Sequence, residues 1–147
     1  MKRGRRLAFD FGDVRIGVAV SDQDSILATP VLTLEARKED LWDRIFDLLA
    51  EYEPVQVYVG RPVHLAGHPS DSTTKAELFA SEFRERFDVE VTMIDERLST
   101  VSAQRAMREA GRSARESKSA IDQAAAVAIL EMAMDLEKSK AKRESSE

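Results

Sequence analysis

The sequence predicts an α/β fold, a five-stranded mixed sheet with helices on both faces. Two observations predict it. Three short apolar stretches, residues 5–11, 15–21 and 25–34, follow one another with only turn residues between them, the pattern of hairpin-linked antiparallel strands. After residue 40 helical stripes alternate with short β-rich runs, the pattern of parallel strands joined by crossover helices. The expected order is β-β-β-α-β-α-β-α-α.

Each element has its own signal. Arg5-Arg6-Leu7-Ala8-Phe9-Asp10-Phe11 reads as the first strand, and Gly12-Asp13 as a turn. Arg15 to Ser21 is the second strand. Ser25 to Leu34 is the third, interrupted by Pro30. From Asp40 to Tyr52, Leu41, Ile45, Leu48 and Leu49 recur at helical spacing, and Pro54 stops the helix. Val55 to Val59 is a fourth strand ending at Gly60. The stretch 61–70, with two prolines and both histidines (His64 and His68), reads as a loop. A helix follows over 74–87 with Ala76, Phe79, Ala80 and Phe83 inward, then a strand from Val89 to Ile94. Ser99 or Thr100 can cap a helix ending near Gly111. Residues 112–119 are polar and expected to form a loose connection. The last helix is expected over 120–138, with Ile121, Ala125, Ala128, Ile129 and Met132 inward. One domain over residues 1–138 and a frayed, charged tail over 139–147 complete the expectation.

Composition narrows the function. The chain has 147 residues and no cysteine, which excludes disulfides, thiolate metal sites and cysteine nucleophiles. No apolar run is long enough to span a bilayer. The basic start, Met1 to Arg6, lacks the apolar core of a signal peptide, so a cytoplasmic protein is expected. A net charge of -5 argues against a general polyanion binder. The charge is uneven, however: residues 1–18 sum to +3, residues 97–118 to +4 and residues 35–53 to -4. Basic segments on either side of an acidic site suit phosphate backbones. In a chain with 33% charged residues, such clusters also arise without any function.

Three acids stand out. Asp10 lies in an otherwise apolar strand, where an unpaired carboxylate is costly. Glu96 follows the fifth strand. Asp122 opens the last helix and precedes a run of small residues, Gln123-Ala124-Ala125-Ala126-Val127-Ala128, that permits close packing on a sheet. If the first and later strands sit side by side, the three can converge. Carboxylates of this kind suit magnesium or manganese, which take hard oxygen ligands. Two such ions can activate water and stabilise a leaving oxygen at a phosphodiester, without histidine. Singly, each acid also has an ordinary explanation: a turn cap for Asp10, a solvated acid for Glu96, a helix-dipole contact for Asp122.

Four motifs resemble those of the YqgF/RuvX family. They are Phe9-Asp10-Phe11-Gly12-Asp13-Val14-Arg15-Ile16-Gly17-Val18-Ala19-Val20-Ser21-Asp22, Val59-Gly60-Arg61-Pro62-Val63-His64-Leu65-Ala66-Gly67, Asp95-Glu96-Arg97-Leu98-Ser99-Thr100 and Ile121-Asp122-Gln123-Ala124-Ala125-Ala126. They occur in the family's order and spacing over about residues 7–136. The resemblance implies an RNase H-like fold and a site for divalent metal, Mg²⁺ or Mn²⁺, at Asp10, Glu96 and Asp122. It implies a nuclease that matures the 5′ end of pre-16S ribosomal RNA, or one that resolves four-way DNA junctions; symmetric junction cleavage needs two active sites and would predict a homodimer in place of a monomer. Arg15 and Arg97 match basic positions of the motifs and are expected at phosphate or supporting the site. Salt bridges to Asp10, Asp13 or Asp95 are the equally weighted alternative. Val14 stands where a lysine is common, and Gly60-Arg61-Pro62 where glycine-leucine-proline is common. Neither departure removes a metal ligand.

Some other readings fall away. Asp10-Phe11-Gly12 spells the kinase magnesium triplet, but the other kinase motifs are missing. No helix follows the first strand, so Gly12 and Gly17 make no dinucleotide fingerprint. The chain is too short for the paired domains of an actin-like phosphotransferase. A non-catalytic nucleic-acid binding module stays an alternative, although such a binder would gain nothing from acids beside phosphates.

Overall fold

A computed structural model describes residues 2–61, 71–95 and 114–145. Five strands form one sheet: β1 (Arg6–Phe11), β2 (Arg15–Ser21), β3 (Ala28–Glu35), β4 (Gln56–Arg61) and β5 (Val91–Asp95), in the order β3-β2-β1-β4-β5. The β1–β2 and β2–β3 pairs are antiparallel. The β1–β4 and β4–β5 pairs are parallel. The carboxyl ends of β1, β4 and β5 therefore share one end of the sheet with the start of β2. Pro30 lies on β3, an edge strand, where a missing N–H is tolerated. The β2–β3 register shifts between Val18 and Ala19.

Strict alternation along the strands divides two cores. On one face Leu7, Phe9, Ile16, Val18, Val57, Val59 and Val91 meet α1 (Leu41–Tyr52) and α2 (Asp71–Arg86). Leu41, Ile45 and Leu48 are the buried stripe of α1, while Ala76, Phe79, Ala80 and Phe83 are buried on α2. Phe79 and Phe83 pack edge-on against Phe9, and Trp42 stacks on Phe79. Glu53 closes α1 in the left-handed region at φ 45°, its N–H donating to the Leu49 carbonyl, and Pro54 follows.

On the other face Ala8, Ala19, Tyr58 and Ile94 meet a single long helix, α3 (Ala114–Ser145). Its buried residues include Ala125, Ala126, Ile129, Leu130, Ala133 and Met134. The apolar stripe located this helix but not its length or its full inner face. It runs on to Ser145 through residues expected as a frayed tail, and it starts at Ala114 within the expected loose connection. Lysine, alanine, arginine and glutamate dominate 138–144, and all are strong helix formers. Lys140, Ala141 and Glu144 also lie along a shallow groove shared with Gln56, Tyr58 and Glu90, so neighbouring sheet residues accompany the extra turns. Leu130 and Ala133 are buried where Ala128 and Met132 were expected, and those two are only half-buried. The predicted helix over 99–111, the loop residues His64 and His68, and both Glu96 and Arg97 lie outside the described residues.

Arg6 is 1% exposed at the start of β1. Its Nε and Nη2 donate to the two carboxylate oxygens of Glu137 at 2.9 and 3.1 Å. Nη2 also donates to the Lys2 carbonyl. The Tyr58 phenol joins the cluster through Glu137; burial, that hydrogen bond and the Glu137 charge push its pKa well above the ordinary value. Burial raises the pKa of Glu137, but the hydrogen bonds from Arg6 and Tyr58 and the Arg6 charge together hold it below the ordinary carboxylate value. Replacing one partner of such a pair leaves a buried charge unmet. Glu137→Gln is expected to lower unfolding free energy by about 3 kcal/mol, measured by urea denaturation at neutral pH. Because the folded pKa is depressed, this stabilisation is present above pH 4.5, the group's ordinary pKa, and is lost as pH falls through the folded value. The gap between wild type and variant should therefore close on acidification; a gap independent of pH would count against the assignment.

Candidate active site

At the carboxyl end of β1, Asp10 is 6% exposed. It shares a sheet face with Ala8, the face covered by α3. Directly across the β1–β2 ladder stands Gly17. A Cβ built on Gly17 would lie 2.0 Å from the carbonyl oxygen of Asp122, deep inside van der Waals contact. Only glycine lets α3 approach this closely. Directly paired residues carry their Cβ positions about 5 Å apart on the same face. Asp10 and Asp122 therefore meet on either side of Gly17, although far apart in sequence.

Two side-chain contacts hold the first inner turn of α3 in place. Arg15, at the start of β2, donates from Nε to Asp122 Oδ2 at 2.9 Å, and Asp122 is 14% exposed. Gln123 donates from Nε2 to Thr33 Oγ1 on β3 at 3.0 Å. The Arg15 contact occupies Oδ2 and leaves Oδ1 of Asp122 for another cation, since a carboxylate offers several acceptor directions. Asp95 closes β5 at the same sheet end, in register with Arg61. Other bases ring this end. Lys75 of α2 reaches Asp13 Oδ1 at 2.9 Å, and Arg61 reaches Glu77 Oε1 at 3.0 Å.

Of the three acids singled out in the sequence, Asp10 and Asp122 are both neighbours of Gly17, one across the ladder and one on the helix above it. Glu96 is bonded to Asp95 but lies outside the described residues. Among the described residues no group of three acids or histidines is placed to hold a metal ion. Asp10 and Asp122 supply hard oxygen donors, one buried and one nearly so. This donor set fits magnesium or manganese rather than a softer ion. Arg15 does form a salt bridge, but with Asp122, not with the acids nearest it in sequence. The N-terminal bases do not gather at the site: Arg6 is committed to Glu137 and Arg3 to Asp24, at the opposite end of the sheet.

Several residues that shape the site escaped the sequence reading. Gly17 had a legible signal, an isolated glycine inside a strand, which marks close backbone approach. Gln123, Thr33, Lys75 and Glu77 had none, since their pairings depend on how distant elements pack.

The family model described as "RuvX: Holliday junction resolvase" matches residues 4–136. A relative from Rhodococcus jostii, named "Putative pre-16S rRNA nuclease", is 52% identical over 139 residues, covering 90% of this chain and 78% of its own. One of the same name from Streptomyces coelicolor is 45% identical over 140 residues, covering 94% and 84%. Among solved structures, Thermus thermophilus RuvC in complex with a Holliday junction substrate superposes with a TM-score of 0.53 at 14% identity, covering 91% of this chain and 96% of that one. The likeness is one of fold, and it is the RNase H-like fold implied by the motifs.

The tightness at Gly17 can be tested directly. Gly17→Ala is expected to cost about 1–3 kcal/mol of stability, as overpacking does. It should also displace Asp122 from Asp10 and lower catalysis more than it lowers the folded fraction. Urea denaturation and activity per folded molecule would check this; unchanged stability would show that α3 does not sit against Gly17.

Proposed function

This chain belongs to the RuvX family, and we propose that it is a divalent-metal-dependent nuclease hydrolysing phosphodiester bonds in structured nucleic acid. The favoured substrate is precursor 16S ribosomal RNA, trimmed at its 5′ end, in the cytoplasm. The observation that carries the reading is the pairing of nearly buried Asp10 with Asp122 across Gly17. Arg15 supplies one positive charge.

Asp10, Glu96 and Asp122 are the residues that would hold magnesium or manganese, as one ion or two. When bound, the metal would supply an activated water and stabilise the charge on the leaving oxygen. The chain's own contribution is placement. The sheet fixes Asp10, and Gly17 sets the depth of α3 and with it the height of Asp122. Arg15 orients the Asp122 carboxylate and stands where it can also meet a substrate phosphate. Arg97 is assigned the same class of role. Among the described residues no helix is long and apolar enough to cross a membrane, which accords with a substrate met in solution.

Four-way DNA junctions are the second reading, favoured by the description of the matching family. Symmetric cleavage of a junction needs two active sites, hence a homodimer, whereas trimming RNA can be done by a monomer. The test is incubation of the protein with precursor ribosomal RNA and with a four-way junction, each with magnesium, manganese or chelator. Wild type is expected to cleave the RNA only with metal. Loss of an outer partner of a metal ligand costs about 10- to 100-fold in affinity or activity, and loss of a direct ligand should cost at least that. Asp10→Asn is therefore expected to fall on the order of a hundredfold or more. Equal cleavage by both proteins would remove Asp10 from the mechanism, and cleavage of the junction alone would reverse the order of substrates.

A further inference from the structure

A groove of about 590 Å³ opens at the same end of the sheet, between the start of β2, the end of β3 and the start of α1. Arg15, Arg37, Lys38 and Arg44 line it, together with Glu35 and Asp40. Its apolar wall includes Val14, Leu34 and Leu41. Arg15 lines this groove and also pairs with Asp122 on α3, the helix that covers the opposite face of the sheet from α1.

The charges of the groove do not cancel. Lys38 pairs with Glu35 at 2.7 Å, and Arg44 with Asp40 at a loose 3.4 Å. Arg37 is held differently. Its Nε donates to the backbone carbonyl of Asp13 at 3.2 Å, so the contact fixes the guanidinium without neutralising it. That carbonyl belongs to the β1–β2 turn, close to Asp10 in the chain. The fold also sorts the acidic excess of residues 35–53. Asp43, Asp47 and Glu51 line an adjoining hollow along α1, beyond Arg44. Of the groove's bases, Arg37 is thus the one held by a carbonyl and not by a carboxylate, while Arg44 stands at the border with the acidic hollow.

We propose that this groove binds the phosphodiester backbone beside the cleaved position, with Arg37 and Arg44 contacting phosphates that the acid site does not touch. The proposal rests on the nuclease reading for its biological setting. An anchored guanidinium that keeps its charge, as Arg37 does, suits phosphate, because Arg offers a rigid fork of donors. The exposed pairs of Lys38 and Arg44 stabilise the fold little and can open to an entering phosphate at low cost. Recognition of this kind reads the backbone and not the bases, so it adds affinity without sequence preference.

The experiment measures binding of labelled single-stranded RNA, and of DNA of the same sequence, by fluorescence anisotropy in chelator, where no cleavage occurs. Arg37→Gln/Arg44→Gln is compared with wild type across a salt series. A second double variant, Arg3→Gln/Arg143→Gln, removes the same charge at the opposite end of the sheet. The groove variant is expected to bind about tenfold more weakly. Its dependence of log K on log salt should become shallower by roughly 0.7 for each lost contact on a single strand. The distant variant should follow wild type. Loss on both nucleic acids, or on the RNA or DNA alone, supports the groove and identifies the backbone it accepts. Equal weakening by both double variants would reduce the effect to net charge and overturn the proposal, as would unchanged affinity and slope. Arg37→Lys keeps the charge and is expected to recover most of the affinity, which a purely structural role for Arg37 in the turn would not predict. Because no cleavage is involved, failure here is distinct from failure of Asp10 as a metal ligand.

Discussion

The approach of α3 to the sheet at Gly17 is the constraint on which the rest of the site depends. A helix normally stands off a sheet by the length of the side chains between them. Here the backbone of Asp122 sits where the side chain of residue 17 would be. That single missing Cβ allows an acid on a helix to reach the level of an acid on a strand. The small residues that follow, Ala125 and Ala126, are fully buried and keep the helix low over its next turn. The position of Asp122 is thus an outcome of packing volume before it is an outcome of charge.

The same helix is held at its far end by a different kind of force. Arg6, buried, and Glu137, partly exposed, form a two-point ion pair with Tyr58 attached to it. A buried pair of this sort is a poor source of net stability compared with apolar packing, but it tolerates little displacement. With Arg15 and Thr33 at one end and Arg6 at the other, α3 is located along its axis as well as above the sheet. The apolar contacts between these anchors, Ile129, Leu130 and Ala133 among them, permit sliding that the polar ends forbid. A helix pinned in this way can hold a carboxylate to the fraction of an ångström that catalytic geometry requires.

How much of this was legible in the sequence follows from the range of each signal. Strand alternation and helical stripes are local, so the sheet, both of its faces and the core of α1 and α2 were legible. Asp10 near the end of β1 was legible too, whereas Asp122, expected to open the last helix, lies about two turns inside α3, which begins at Ala114. The burial of Arg6 was not, since its partner Glu137 is distant in sequence and nothing near Arg6 announces it. The length of α3 was missed for a related reason. An apolar stripe reports where a helix is buried, whereas its polar ends extend as far as helix propensity and capping allow. The partner of Arg15 was sought among the acids nearest in sequence and was found on α3, because the turn carries Asp13 toward Lys75 instead.

The bases around the paired acids raise a question of economy. Lys75 with Asp13, Arg61 with Glu77 and Arg15 with Asp122 all lie at the sheet end where the parallel strands finish. The first two pairs are substantially exposed, and exposed pairs contribute little to folding. Their value must be sought elsewhere. A base tethered by an acid is kept within a small volume instead of sampling its full rotamer space, so less entropy is lost when an anion arrives. The tether also lowers the positive potential felt at a distance, which limits indiscriminate capture of polyanions by a chain of net charge -5. An incoming phosphate would have to compete with a carboxylate at each of these three pairs and would gain most where several contacts were made together. Discrimination then comes from the spacing of the bases along the groove and around the acids, not from the strength of any one of them.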